Sequence, residues 1–266
     1  MIGMGFWDGL RRLFRRPPLL HVAIDEGAGP PVVLLHGIAS SSVTFENVVP
    51  LLRDRHRVIA IDLLGFGASP APEDADYSVD DHVRSLRRTL RRLRLGPSHV
   101  LVGHSMGAII GARYAAEDRG RVSRLVLVSP PVYFRPAEVG SSSDRATMGL
   151  YYRAYEFLRA NKDFTMAAAA QLARLSPIKG LLDISERNWI AFTRSLQNSV
   201  ETQSLLSDLA RIEAPVQVVY GTLDVLLAPE GLRILGQLRG VTVHPVQGVD
   251  HVIRQRMARV VATAVG

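Results

Sequence analysis

Gly103-His104-Ser105-Met106-Gly107 is the segment of this 266-residue chain whose residue types and spacing most directly imply chemistry. It reads G-x-S-x-G, and it follows the strand-like run 99–103 and precedes a helix-like run. A nucleophilic hydroxyl needs that context: a sharp strand-to-helix turn exposes it, and the glycines make room for backbone that side chains would block. The N-terminus of the following helix also favours developing negative charge. Ser105 is therefore the candidate nucleophile. A serine hydroxyl is a poor nucleophile at neutral pH, so it requires a base that is itself oriented by an acid.

For a nucleophile on such a turn, the partners follow in the chain order serine, acid, histidine. Asp224 lies one short loop beyond the strand-like run 216–220, and His251 lies one short loop beyond 241–246. Both positions fall where the carboxyl edge of a parallel sheet gathers its ligands. Asp208 and Asp250 are the other acids nearby, but Asp250 directly precedes His251, so its side chain should diverge from the imidazole. A tetrahedral oxyanion needs two preorganised N–H donors. Met106, the residue after the nucleophile, supplies one, and Ile38 in the loop His36-Gly37-Ile38-Ala39-Ser40 supplies the other. His36 and His104 flank glycines within these turns and read as turn-stabilising rather than as bases. With base, acid and oxyanion donors all supplied by the chain, no metal and no organic cofactor is implied. The absence of cysteine excludes a thiol nucleophile, a disulfide scaffold and a zinc site with sulfur ligands.

The elements that must position these groups alternate. Short β-rich runs occur at 31–36, 57–61, 99–103, 124–129, 216–220 and 241–246, and their continuous apolar character suits strands covered on both faces. Helical periodicity fills the gaps at 79–95, 105–118, 229–238 and 252–264. Such alternation predicts an α/β fold, a mostly parallel central sheet with helices on both faces. It fails between 131 and 212, a stretch that opens on Pro130-Pro131 and holds nine of the seventeen aromatic residues. A helical cap over the sheet accounts for both facts, most of the rings being expected in its core. The expected organisation is a basic segment at 1–19, a core at 20–130 and 213–266, and a cap at 131–212.

Composition narrows the partners. With 47% hydrophobic and 21% charged residues the chain is ordinary globular protein. No apolar run reaches the roughly 18–20 residues that a spanning helix needs. The net charge is +7, nearly all from arginine, only Lys162 and Lys179 being lysines. Between 84 and 94 the arginines lie opposite the apolar stripe Val79, Val83, Leu86, Leu90 and Leu93, which reads as a solvated helix face; no recognised motif supports nucleic-acid binding. In the first residues, Phe6, Trp7, Leu10, Leu13 and Phe14 fall at helical spacing, interleaved with Arg11, Arg12, Arg15 and Arg16. Residues 1–18 can therefore lie on an anionic membrane surface. Arg11-Arg12 resembles a twin-arginine export signal, but only eight uncharged residues, 17–24, follow before Asp25, too few for one. The expected location is cytoplasmic, peripheral to the membrane if residues 1–18 bind it.

Together, His36-Gly37, Asp62-Leu63-Leu64-Gly65-Phe66-Gly67-Ala68-Ser69, the turn at 103–107, Gly221-Thr222-Leu223-Asp224 and His251 resemble the α/β-hydrolase fold superfamily over residues 20–266, in its capped serine hydrolase subgroup. The resemblance implies an esterase or lipase acting on a small-molecule ester. Haloalkane dehalogenases and epoxide hydrolases are similar in architecture but carry aspartate where Ser105 stands. Carbon–carbon bond hydrolases of the meta-cleavage type usually have asparagine before the nucleophile and tryptophan after the histidine, against His104 and Val252 here. Haloperoxidase-like members usually place an aromatic residue beside the oxyanion donor, where this chain has Ile38. Non-catalytic ligand-binding homologues normally lose a triad member, and this chain keeps all three.

Overall fold

The computed structural model describes residues 16–133, 141–176 and 178–266. The N-terminal residues from Phe6 to Arg15 read above as amphipathic, and Phe134, lie outside the described residues.

The elements run β1 (Val22–Glu26), β2 (Pro31–Leu35), α1 (Val49–Leu52), β3 (Arg57–Ile61), α2 (Val79–Leu93), β4 (His99–His104), α3 (Met106–Glu117) and β5 (Val122–Val128). They continue with α4 (Ser142–Ala160), α5 (Lys162–Leu175), α6 (Trp189–Ser195), α7 (Leu205–Leu209), β6 (Val216–Gly221), α8 (Pro229–Leu235), β7 (Val241–Val246) and α9 (Gln255–Val265). The seven strands form one sheet in the order β1-β3-β2-β4-β5-β6-β7, parallel throughout except for β1, which pairs antiparallel with β3.

Burial on both faces explains the apolar strands. Val33, Leu35, Ile59, Ile61, Leu101, Leu125 and Leu127 belong to one core with α2 and α3, while Val32, Leu34, Val58, Ala60, Val102, Val126 and Val128 alternate with them into a second core under α1 and α9. β1 escaped the sequence reading because it is a short, half-exposed edge strand with two acids. Helix α2 starts on Ser78, whose hydroxyl accepts from Asp81 N–H, and carries Asp80 and Asp81 in its first turn and Arg91 and Arg92 in its last, each sign suited to the helix dipole. It stops at Leu93, two residues before the expected end, because Arg94 turns left-handed at φ 50°.

Among the described residues, the chain between β5 and β6 carries helices and no strand. It touches the loops at the carboxyl edge of the sheet: Asp183 N–H donates to Ala39 O after β2, Arg187 to Gly67 O and Ser199 Oγ to Tyr77 O after β3. α7 packs back onto α3, where Arg113 binds the fully buried Asp208 at 2.9 Å. Of the aromatic residues in this stretch, Tyr133 and Phe192 are buried, whereas Phe157 and Phe164 are exposed and meet edge to face at 5.4 Å. Among the described residues no helix is long and apolar enough to cross a membrane.

Candidate active site

Ser105 joins β4 to α3 with φ 53° and ψ −120°, a conformation that costs a non-glycine residue of order 1–3 kcal/mol. Its surroundings over-determine it. Ser105 N–H donates to Val128 O and Ser105 O accepts from Ala108 N–H, both at 2.9 Å. The flanking glycines are required by close approach: a Cβ on Gly103 would sit 2.3 Å from Gly107 O, and one on Gly107 would sit 2.3 Å from Leu35 O. The turn also occupies the switch point of the sheet, because the loop after β2 leads to β3 on one side and that after β4 leads to β5 on the other.

That loop after β2 lies against the serine. A Cβ on Gly37 would meet Ser105 Cβ at 3.0 Å and Ser105 Oγ at 3.5 Å, which brings the backbone next to Ile38 alongside the nucleophile. Met106 opens α3, where a first-turn N–H has no intrahelical acceptor. His36 holds the loop in place: its Nε2 accepts from Leu63 N–H at 2.8 Å, so its Nδ1–H donates to Gly37 O at 2.7 Å. Burial keeps this ring neutral, its pKa lowered to about 4.

The candidate acid and the candidate base meet. His251 Nδ1 lies 2.7 Å from Asp224 Oδ2, with the carboxylate fully buried and the imidazole side chain 22% exposed. Burial alone would raise the Asp224 pKa, but the hydrogen bond and charge of His251 and the Leu226 N–H, 3.0 Å from Oδ1, hold it below its ordinary value. The two loops are laced together, Leu223 N–H donating to Val249 O and Gly248 N–H to Thr222 Oγ1. Gly221 allows this, since a Cβ there would sit 2.1 Å from Val249 O. Asp250 turns away to Arg254 at 2.8 Å, and Asp208 is bound to Arg113 in the distant contact with α3.

His104, which precedes Ser105, touches His251. Its ring lies 4.8 Å from the His251 ring, and its Nε2–H donates to His251 O at 3.0 Å. Burial, with the neighbouring His251, lowers its pKa to about 3, so it is a neutral donor. Among the described residues, Ser105 Oγ makes no hydrogen bond to His251 or to any other group. His251 thus rests on the residue that precedes Ser105, with its Nδ1 engaged by Asp224.

Three tyrosines that the sequence reading left in a general aromatic core hold the acid's loop. Tyr133 OH donates to Leu226 O at 2.5 Å and accepts from Tyr155 OH at 2.7 Å, while Tyr151 OH donates to Val225 O at 2.7 Å. Burial pushes the Tyr133 phenol far up and Tyr155 to about 12, so both stay protonated donors. The four-residue spacing of Tyr151 and Tyr155 on α4, which puts both rings on one face, was the available signal.

This is the layout of an α/β hydrolase. A family model described as the alpha/beta hydrolase fold matches residues 30–253, and the chain belongs to that family. Among its relatives, a cis-3-alkyl-4-alkyloxetan-2-one decarboxylase from Shewanella oneidensis is 36% identical over 115 residues, 42% of this chain and 36% of that protein. The probable lysophospholipase BODYGUARD 4 of Arabidopsis thaliana is 39% identical over 117 residues, 43% of this chain and 28% of that protein. The chain therefore matches about a third of the length of these relatives. An esterase from Exiguobacterium antarcticum has the same fold, with a TM-score of 0.73 and 19% identity over 92% of this chain and 95% of that one.

Proposed function

We propose that this α/β hydrolase is a serine esterase working through an acyl-enzyme. The observation that carries the reading is the 2.7 Å pair between His251 and a buried Asp224, its imidazole 4.8 Å from the ring of His104, which precedes a strained Ser105. Ser105 Oγ attacks the ester carbonyl and passes its proton to His251 Nε2, while Asp224 orients the ring through Nδ1 and stabilises the imidazolium. The N–H groups of Ile38 and Met106 bind the oxyanion. The imidazolium protonates the departing alcohol, and water, deprotonated by the same ring, releases the acid.

The helical stretch 131–212 acts as the cap, and its contacts with the loops after β2, β3 and β6 support that role. The substrate's acyl group is apolar. Leu223, Val225 and Leu226, which surround the acid, are 62%, 80% and 42% exposed and form an apolar rim at the site. Serine at 105, where dehalogenases carry aspartate, supports a serine nucleophile over dehalogenase chemistry. A fluorophosphonate probe is expected to label wild type at Ser105, and neither Ser105→Ala nor His251→Ala; an unlabelled serine in folded wild-type protein overturns the reading. Rates on p-nitrophenyl esters should rise with chain length, and activity confined to acetate would refute the apolar acyl assignment.

A further inference from the structure

Helices α4 and α5 leave large apolar side chains in solvent, and those side chains share a face. Leu150 and Phe157 stand seven residues apart on α4; on α5, Leu172 and Leu175 follow Phe164 by eight and eleven residues, about two and three turns. Each set therefore lies on one side of its helix. The two sets join where Phe157 meets Phe164 at 5.4 Å. All five side chains are between 49% and 81% exposed. At about 200 Å² for a large side chain they leave on the order of 600 Å² of apolar surface in water, the upper end of the range of about 300–600 Å² for the largest patch on a monomer. A standard interface takes about 800 Å² from each partner, which this face and its rim supply.

The rim carries both signs. On α5, Asp163 and Arg174 are exposed and have no ion-pair partner among the described residues. They stand eleven residues apart, so they share one side of the helix at a separation of about 16 Å. Lys162, the other charge on α5, is spent on Glu186 at 2.6 Å. On α4, Arg153 and Glu156 are likewise exposed and without an ion-pair partner among the described residues. An anionic leaflet selects a positive rim, whereas these four charges sum to zero. Midway between Asp163 and Arg174, the outer side of α5 carries Ala167, Ala168 and Ala170, small enough for a second helix to approach to about 8 Å.

We infer that this face pairs with a second copy of the chain in a two-fold dimer, α5 lying antiparallel on α5 about an axis near Ala168. A two-fold contact needs a surface complementary to itself, and the antiparallel arrangement makes this one so. Asp163 of each copy meets Arg174 of the other. Phe164 of each copy packs between Leu172 and Leu175 of the other. The alanines sit at the axis, where the two backbones come closest, and Leu150 and Phe157 widen the contact along its edge. The inference stands apart from the esterase reading, since it uses no residue of the candidate site.

The test is sedimentation velocity of the full chain at low salt and at concentrations up to about 100 µM. Wild type is expected to form a dimer whose share grows with concentration. Leu172→Ser/Leu175→Ser, both at exposed positions, should weaken that dimer by at least about a hundredfold, with an unchanged circular dichroism spectrum. Asp163→Arg sets like charges against each other at both rim contacts and should weaken it about tenfold. Asp163→Arg/Arg174→Asp exchanges the signs and should recover the wild-type dissociation constant. A wild type that stays monomeric, a dimer indifferent to the serine pair, or a charge exchange that fails to recover what the single reversal lost would each overturn the proposal. So would a monomer that co-sediments with phosphatidylglycerol vesicles and loses that binding in the serine pair.

Discussion

Lowering the pH from 7 to about 5.5 should cost this protein about 5 kcal/mol of stability, through four histidines that are buried in their neutral form. His36 and His82 are wholly buried, and His99 and His104 nearly so. Burial lowers their pKa values to about 4, 3, 4 and 3 respectively, against 6.5 for a free imidazole. Between about pH 4 and 6.5 the unfolded chain therefore binds protons that the native state refuses. Stability is full above 6.5 and falls as the pH drops below it. At pH 5.5 each histidine contributes a loss of about 1.2–1.4 kcal/mol relative to neutrality. The lowered Asp62 and Asp224 carboxyls add to the loss only further down, as the pH falls through the carboxylate range. A domain is typically stable by about 5–15 kcal/mol, so acid in this window brings the protein close to unfolding. Urea titrations followed by circular dichroism at a series of pH values give the slope directly. His99→Phe should flatten it by about a quarter, since that ring packs on Tyr114 at 5.9 Å, and among the described residues its Nε2 has no partner to lose. An unfolding free energy that changes by less than about 1 kcal/mol across this range would refute the reasoning.

Two further outcomes follow from the site. Gly107→Ala places a Cβ 2.3 Å from Leu35 O and 2.5 Å from His36 O, both backbone atoms that cannot swing aside; thermal denaturation should report a loss of about 3 kcal/mol or more. Tyr133→Phe strips the donor from Leu226 O beside the acid, and kcat on a soluble ester should fall several-fold, a hydrogen bond of this kind being worth about 0.5–1.5 kcal/mol, with little change in KM.

What could be read from the sequence was whatever a single residue type makes obligatory. A Cβ on Gly103, Gly107 or Gly221 would sit within 2.3 Å of a backbone carbonyl oxygen, so no other residue fits, and a pattern built on them is visible without coordinates. The strands of the parallel sheet were equally legible, because burial on both faces leaves a run of apolar residues. β1 was not, since an edge strand with Asp25 and Glu26 looks like a loop until β3 is placed beside it. Nor were the tyrosines around Asp224. Tyr133 lies 93 residues from Leu226 in sequence, and a phenol serves equally as core filler and as donor until its neighbour is known. The missing Ser105–His251 hydrogen bond was also beyond reach, because it depends on side-chain orientation rather than on residue type.

On the proposed mechanism, His36, His104 and His251 differ in the one property that the base needs. His36 and His104 both spend ring N–H groups on backbone carbonyls, those of Gly37 and His251, and both are enclosed so completely that charging them would leave a cation without solvent. A ring that cannot hold a proton cannot act as a base, however close it stands to the serine. His251 is part-exposed, and its Nδ1 faces a carboxylate held deprotonated, so a positive charge on this ring is matched on one side by Asp224 and on the other by water. The two buried rings meanwhile do structural work that a charged residue could not. His36 ties the loop of Ile38 to Leu63, and His104 fixes the backbone of His251 from beneath its ring. On that mechanism, exchanging the environments of His104 and His251 would remove the proposed base and its support at once, so burial, rather than proximity to Ser105, would select the histidine that takes the proton.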